Sequence, residues 1–167
     1  MNIVLTGFMA SGKTAISKAI SEISELIFLD TDEVIVERTG MTIEEIFENM
    51  GEEGFREIEH NIIKEISDLD GYVISTGGGV PLNIANIREL RKNGIIVNLS
   101  SDFEVIKERL LRNGQKNKRP LIKNDKMDEI EQRFNDRIKY YRECDFQIRV
   151  SNDRTPEYYA NEILTCH

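Results

Sequence analysis

The residues with the clearest chemical pattern lie near the start of the chain, at positions 7–14, with the sequence GFMASGKT. They match G-x-x-x-x-G-K-[ST], in which glycines let several backbone N–H groups point into one hollow that can hold phosphate groups. Lys13 would reach the outer phosphates of a nucleotide, and the hydroxyl of Thr14 would bind Mg²⁺. An apolar run precedes the motif and a helical pattern follows it, which is the context that such a loop needs. The stretch predicts a site for nucleotide phosphates.

Two more groups of chemically useful residues follow apolar runs later in the chain. Asp30 and Asp32 come directly after the second run, and the glycines 77–79 come after the third. The carboxyl ends of parallel strands meet at one edge of a sheet, where ligands of open α/β sheets bind. Three glycines there form either a plain turn or a place where a ligand approaches the backbone closely. We expect both groups to lie beside the phosphate loop.

A basic loop spans residues 113–123, with the sequence NGQKNKRPLIK, in a chain whose formal net charge is −8. Most charge runs are solvated loops, and that interpretation stays open. In a phosphoryl-transfer enzyme, however, a basic flap would exclude water and bring a cation to the migrating group. The overall negative charge argues against nucleic acid as a partner, because binding to a phosphate backbone requires a basic face.

Length and hydropathy restrict the kind of protein further. A chain of 167 residues is about the size of one domain, and we expect a single domain over 1–167. No apolar run approaches the roughly 20 residues of a membrane span, and the first strand begins too early for a signal peptide. Cys144 and Cys166 have neither metal-ligand spacing nor a disulfide framework, which favours reduced thiols. We therefore expect a cytoplasmic protein with no membrane partner, and a monomer.

Apolar runs alternate with helical patterns, which predicts an α/β fold with a parallel sheet covered on both faces. The strand candidates are 2–6, 26–29, 72–75, 95–99 and 146–150. The crossover and terminal helix candidates are 13–23, 83–92, 102–112, 125–144 and a last helix that begins at Thr155-Pro156.

Between the second and third strands the chain is longer than a simple crossover requires. Thr42 and Glu45 form a predicted capping box for a helix over 43–50, and a second helix follows over 52–68. We expect this insertion, about 31–60, to bind the substrate. In the first helix, Ile16, Ile20 and Ile23 have helical spacing and predict a core-facing side.

Taken together, these motifs resemble those of the shikimate kinase family, small P-loop kinases related to nucleoside monophosphate kinases. The similarity runs nearly from end to end of the chain. Besides the phosphate loop, it rests on the motifs FLDTD (28–32), EIF (45–47), GE (51–52), FR (55–56) with Glu59, TGGG (76–79), RPL (119–121), and Arg137 followed by Tyr141. Any one of these matches could be accidental, but all of them in order could hardly be.

The resemblance implies a three-layer α/β/α fold with a five-stranded parallel sheet, and ATP-dependent, Mg²⁺-requiring phosphorylation of the 3-hydroxyl of shikimate on the route to chorismate. The implied catalytic residues are Lys13, Asp32 and Arg119. The implied nucleotide residues are Gly7, Ala10, Ser11, Gly12, Lys13, Thr14, Arg112, Arg119 and Arg154. The implied metal residues are Thr14 and Asp30, and the implied substrate residues are Asp32, Arg56, Glu59, Gly77, Gly78, Gly79 and Arg137. The implied lid is about 113–124, with Arg119 as its cation.

Two of these residues have a simpler alternative role. Asp32 could cap the helix over 33–38, a role that aspartate fills well. Arg56 could form a surface pair with Glu59, three residues on, although two guanidinium groups would suit a planar carboxylate. Ala10 stands where many family members carry glycine, and we expect an ordinary backbone angle there.

Three other functions have partial support from the motifs. A gluconate kinase would share the phosphate loop but lack the motifs around Phe47 and Arg56. A nucleoside monophosphate kinase would need a pocket that recognises a base. A GTPase-like switch would use D-x-x-G, which Asp68 and Gly71 match formally, but they precede the third strand and no guanine-binding N-K-x-D element is present.

Overall fold

The structure is a computed structural model that describes residues 1–113 and 127–166. The described residues form a five-stranded parallel sheet in the order β2-β3-β1-β4-β5. Its strands are β1 (Asn2–Thr6), β2 (Ile27–Asp30), β3 (Tyr72–Ser75), β4 (Gly94–Ser100) and β5 (Phe146–Arg149). The predicted fold class is confirmed, and the five predicted strands match the observed ones with ends that differ by at most one residue.

The helices in the described residues are α1 (Lys13–Ile23), α2 (Thr31–Thr39), α3 (Ile43–Ser67), α4 (Ile84–Arg91), α5 (Phe103–Asn113), α6 (Met127–Tyr141) and α7 (Pro156–Thr165). A short 3₁₀ turn, Val80–Leu82, links the glycines 77–79 to α4. Within these described ranges no helix is long and apolar enough to cross a membrane.

The sheet has a hydrophobic layer on each side, because successive side chains of a strand point to opposite faces. In β1, Ile3 and Leu5 pack on the side that carries α1 and α7, whereas Val4 packs on the side that carries α3 and α4. All three side chains are buried, as expected for a central strand covered on both faces. The three-layer arrangement therefore follows from the alternation within β1.

The first helix differs in one respect from its predicted pattern. Ile16 and Ile20 are buried in the core, but Ile23 is 46% exposed, so its predicted core position is wrong. Ile23 is the last residue of α1, where the chain turns toward β2. Helical spacing predicts which side of a helix faces the core, but it cannot predict how far along the helix the covering layer extends.

The insertion between β2 and β3 consists of α2 and α3. The predicted capping box at the start of α3 is confirmed: Thr42 accepts from the N–H of Glu45, and the Glu45 carboxylate accepts from the N–H of Thr42. The two predicted helices are confirmed: the segment Ile43–Ser67 consists of two helices that meet at Gly51, whose backbone is non-helical with φ +69°. Gly51 kinks the segment there, and the second half carries the motif residues 55–59 toward the sheet edge.

Candidate active site

The phosphate loop leads from β1 into α1 with a tightly constrained backbone. Gly7 has φ +149°, and a Cβ built on it would lie 2.6 Å from the carbonyl oxygen of Leu99, so only glycine fits. Gly12, with φ +98°, stands at the N-cap of α1, where no side chain caps the first N–H groups. Such N–H groups, together with the helix dipole, form a favourable place for a phosphate.

Ala10 does not have the ordinary backbone angle that we expected. Its φ is +59°, and among the described residues it is the non-glycine residue with a positive φ. The left-handed conformation costs a non-glycine residue roughly 1–2 kcal/mol. The expectation is wrong because the loop geometry requires this conformation at position 10, whichever residue occupies it.

Lys13 is held against the inner side of the loop. Its ammonium donates to the carbonyls of Gly7 at 2.7 Å and Phe8 at 2.9 Å, and lies 3.4 Å from Oγ of Ser11. Lys13 is 9% exposed and lines the cavity described below, whereas Ser11 is buried inside the loop. The loop therefore concentrates one cation and a helix N-terminus at the edge of the sheet.

Asp30 divides its two carboxylate oxygens between two tasks. Oδ1 accepts from the N–H of Asp32 at 2.9 Å and caps α2, so Asp30 is the cap, and the alternative role of Asp32 as cap is wrong. Oδ2 lies 3.3 Å from Oγ1 of Thr14, which is also 3.4 Å from Oγ of Ser75. A carboxylate and two hydroxyls form the kind of oxygen donor set that Mg²⁺ prefers, and it completes its shell with waters and phosphate oxygens. The residues present fit that ion.

The predicted substrate residues share a single cavity with the phosphate loop. The cavity has a volume of about 780 Å³. Its lining includes Lys13, Thr14, Asp30, Asp32, Arg56, Glu59, Gly77, Gly78, Gly79, Arg137 and Arg154. Its cations at described positions are Lys13, Arg56, Arg109, Arg137 and Arg154. The lining also has four carboxylates, those of Asp30, Asp32, Glu44 and Glu59. The cations still outnumber them in a chain with a net charge of −8, which makes the cavity better suited to anions than the rest of the surface.

The three glycines after β3 give room to three different neighbours. A Cβ at Gly77 would lie 2.9 Å from Oδ1 of Asp32, and one at Gly79 would lie 2.2 Å from Nη1 of Arg56. A Cβ at Gly78 would lie 3.7 Å from the carbonyl oxygen of Gly7 and 3.8 Å from Nη1 of Arg137. Gly78 therefore lies between the phosphate loop and Arg137, and the glycines bring the two halves of the cavity together.

Gly77 leaves room for the side chain of Asp32, but its backbone N–H is already hydrogen-bonded. Its N–H donates to the hydroxyl of Thr31 at 2.9 Å. Thr31 is fully buried at the start of α2 and so ties the insertion to the glycine stretch. The sequence identified the glycines but not the buried hydroxyl that fixes them.

Arg56 and Glu59 form a partly buried pair rather than a surface pair. Nη1 of Arg56 donates to Oε1 of Glu59 at 2.9 Å, and Glu59 is 1% exposed. Burial raises the pKa of the Glu59 carboxyl, although Arg56 acts in the opposite direction. Its other oxygen, Oε2, is buried and has no hydrogen-bond partner among the described residues. An unpaired buried acceptor is costly, and Glu59 lines the cavity. A ligand hydroxyl that donates to this oxygen would therefore be bound favourably.

Arg137 is held by the residue one helical turn later. The hydroxyl of Tyr141 donates to the carbonyl of Gly78 at 2.8 Å and lies close enough to the guanidinium of Arg137 to interact with its charge. Burial raises the pKa of Tyr141 to about 12, so its hydroxyl keeps the proton that it donates. Burial also lowers the pKa of Arg137, while Tyr141 opposes that effect. The four-residue spacing of Arg137 and Tyr141 thus places both side chains on one side of α6, where Tyr141 connects that helix to the glycine stretch.

A model of the family described as shikimate kinase matches residues 9–167 of the chain. A shikimate kinase of Caldicellulosiruptor bescii is 46% identical over 167 residues, which is 99% of this chain and 95% of the relative. The chain belongs to the shikimate kinase family.

The fold agrees with solved members of the family. The shikimate kinase of Bacteroides thetaiotaomicron has a TM-score of 0.91 at 32% identity, covering 99% of this chain and 97% of its own. That of Acinetobacter baumannii, solved in complex with shikimate, has a TM-score of 0.88 at 31% identity, covering 99% and 91%.

The two arginines that the family resemblance assigns to the nucleotide, Arg112 and Arg154, occupy different positions relative to the cavity. Arg154 lines the cavity next to Pro156, and its guanidinium lies over the ring of Tyr158. Arg112 instead forms an ion pair with Glu108 on the surface of α5 and is not among the lining residues. The lining arginine of α5 is Arg109, which the sequence did not single out. Arg119, together with most of the predicted lid, lies outside the described residues.

Proposed function

We propose that the chain transfers the γ-phosphoryl group of ATP to the 3-hydroxyl of shikimate, producing shikimate 3-phosphate and ADP on the route to chorismate. One observation carries this proposal: the phosphate loop and Arg137 lie on either side of Gly78, with only that residue between them, in the cavity that Asp32 and Arg56 also line. A phosphate donor and a carboxylate-bearing acceptor can therefore lie side by side. Holding two reactants in this way is the main means by which phosphoryl transfer is accelerated.

At the acceptor side, Arg56 and Arg137 bind the carboxylate of shikimate. A guanidinium offers two parallel N–H donors to a planar anion, and both side chains are only half-buried and reach the cavity. Glu59 holds Arg56 and uses its buried Oε2 to accept from a substrate hydroxyl. These contacts favour an acid with hydroxyl groups over a neutral sugar or a base.

At the reacting centre, Asp32 orients the attacking hydroxyl and accepts its proton. The hydroxyl oxygen forms a bond to the γ-phosphorus while the bond from that phosphorus to the bridging β-phosphate oxygen breaks, and ADP leaves. Lys13 stabilises the charge on the phosphates, and the backbone N–H groups around Gly12 bind them. Mg²⁺, held by Thr14 with Asp30 acting through water, would neutralise charge on the β- and γ-phosphates.

The proposal also assigns roles to two larger segments of the chain. The insertion 31–60 forms the acceptor side, and residues 113–124 act as a lid that brings Arg119 to the transferred group. Arg154, which lines the cavity, binds near the adenine of ATP, and Arg112 joins it there only if its side chain leaves Glu108. We propose that the chain is a single domain that works as a monomer in the cytoplasm. Light scattering of the purified protein at working concentration tests the monomer.

The test of the function is a substrate panel. Purified protein with Mg²⁺ and ATP should release ADP when shikimate is added, and gluconate, CMP and AMP should not replace it. Phosphorus NMR of the product should show one phosphate on the 3-hydroxyl. Release of ADP with gluconate or a nucleotide, but not with shikimate, would contradict the proposed acceptor and leave nucleotide binding intact.

A further inference from the structure

Arg109 connects three segments that are far apart in the sequence. It lies on α5 and donates from Nη1 to the carbonyl of Ala10 at 3.0 Å, from Nη2 to the carbonyl of Ser151 at 3.2 Å and from Nε to Oδ1 of Asn152 at 2.8 Å. Its guanidinium thus joins the phosphate loop to the loop that follows β5. All of its three nitrogens are used, and the side chain is half-buried at the cavity wall.

The contact with the phosphate loop is made at its strained residue. Ala10 has φ +59°, and nothing in an alanine favours that conformation over ordinary ones. Nη1 of Arg109 also lies close to Gly12, since a Cβ built there would be 3.4 Å from it. The bond to the carbonyl of Ala10 therefore stabilises the loop conformation that points its N–H groups toward the phosphates.

The contact with the second loop is reinforced from the same helix. The amide of Asn152 accepts from Arg109 through Oδ1 and donates through Nδ2 to Oε2 of Glu108 at 2.8 Å. Both polar atoms of this amide are therefore paired with neighbouring residues of α5. Two residues farther along the chain, Arg154 reaches the cavity, followed by Pro156. Fixing Asn152 thus fixes the stretch from which Arg154 and Pro156 reach the cavity.

We propose that Arg109 is a positioning residue for the nucleotide, which locks the strained Ala10 and the loop of residues 151–154 into one binding surface. This inference rests on the proposed function only in assuming that a nucleotide binds at the phosphate loop. Arg109 acts through these two loops and leaves the acceptor side of the cavity untouched, because Asp32, Arg56 and Arg137 belong to other elements.

The experiment compares the binding of Mg²⁺–ADP and of shikimate by calorimetry. In Arg109→Met, the Kd for ADP should rise about tenfold, because several hydrogen bonds to the loops are lost together, while the Kd for shikimate stays within about twofold. Arg109→Lys should recover part of the affinity, since an ammonium can still reach one carbonyl. Arg149→Met serves as a matched control, because Arg149 forms an exposed ion pair with Asp102 away from the cavity, and ADP binding should not change.

A second variant tests the strain argument directly. Glycine adopts φ +59° without cost, so adding Ala10→Gly to Arg109→Met should restore about threefold of the lost ADP affinity. No restoration would overturn the part of the inference that concerns Ala10.

A negative binding result for the Arg109 variant and one for the unaltered protein would have different meanings. Unchanged ADP binding in Arg109→Met, or an equal loss of ADP and shikimate affinity, would overturn the positioning role. If that variant does not fold, the exposed Asn152→Ala removes one of the same contacts and should weaken ADP binding about threefold; unchanged binding would overturn the role as well. If the unaltered protein fails to bind ADP, the proposed function is at fault instead.

Discussion

The guanidinium of Arg56 occupies the space that any side chain at Gly79 would need. A Cβ at that position would lie 2.2 Å from Nη1 and 2.4 Å from Nη2. The backbone of Gly79 is in an ordinary helical conformation, with φ −93°, so an alanine would be tolerated by the backbone and rejected only by Arg56. The direction of Arg56 therefore depends on the absence of a single methyl group.

Gly79→Ala should thus displace the guanidinium of Arg56 and weaken shikimate binding, although Arg56 itself is unchanged. The far end of a flexible side chain can move, so we expect a stability loss of only about 1 kcal/mol. The KM for shikimate should rise roughly 30-fold, since a displaced charged contact costs about 2 kcal/mol. The KM for ATP should not change. An unchanged shikimate KM in Gly79→Ala would contradict the role of Arg56 in binding the acceptor.

Asp32→Asn should separate catalysis from nucleotide binding. The amide keeps the size of the side chain but cannot accept the proton of the attacking hydroxyl, and such a group contributes about 100-fold or more to kcat. Calorimetry with Mg²⁺–ADP should give a Kd within about twofold of the unaltered protein, because Asp30 rather than Asp32 faces Thr14. A comparable loss of ADP affinity would show that Asp32 has been assigned the wrong role.

Tyr141→Phe should loosen Arg137 without disturbing the packing of the ring. The substitution removes the hydrogen bond to the carbonyl of Gly78 and the hydroxyl that interacts with the guanidinium of Arg137. Losing a hydrogen bond of this kind costs about 1 kcal/mol, so the shikimate KM should rise about fivefold. Steady-state kinetics should show little change in the ATP KM. A larger effect on ATP than on shikimate would mean that Tyr141 supports the phosphate loop instead.

Glu59→Gln should change how stability depends on pH. Burial raises the pKa of this carboxyl above its ordinary 4.5, so between the two values the folded chain binds the proton more tightly than the unfolded chain. Stability therefore falls as pH rises through that window, and a glutamine avoids this loss. The Tm of the variant minus that of the unaltered protein should increase between about pH 4 and about pH 7.

The matched control for that measurement is Glu89→Gln. The hydrogen bond from Lys92 lowers the pKa of Glu89, which lies partly exposed on the surface, and this is the opposite direction. Its contribution to stability is present above the ordinary pKa and is lost as pH falls, so the Tm difference should decrease over the same range, by a small amount because solvent screens the pair. If both variants change in the same direction, burial of Glu59 is not the cause.

Much of the fold and of the site could be predicted because the deciding signals are local in sequence. The strands are short apolar runs, the capping box at Thr42 depends on two residues, and the phosphate loop is one contiguous motif. The placement of Asp32, Arg56 and Arg137 in one cavity is different, since it depends on the order of the strands. It was anticipated through the resemblance to the shikimate kinase family rather than through residue spacing.

What the sequence could not predict depends on contacts between distant segments. Arg109 carries no motif, and its partners are 99 and 42 residues away at Ala10 and Ser151. The positive φ of Ala10 was missed because alanine itself gives no sign of it, although the glycine that many family members carry at this position does. The split role of Asp30, with one oxygen for α2 and one for Thr14, requires the position of both carboxylate oxygens. Residue types alone do not contain that information.

The most direct test of the central claim compares shikimate with its methyl ester, which keeps every hydroxyl and lacks the anionic carboxylate. If Arg56 and Arg137 hold that carboxylate beside the phosphate loop, kcat/KM with the ester should be lower by roughly 100-fold, the loss of about 3 kcal/mol expected for a charged contact. In Arg56→Lys the difference between the two substrates should shrink, because a point charge cannot replace the two-pronged contact. Equal kcat/KM values for acid and ester in the unaltered protein would contradict the account.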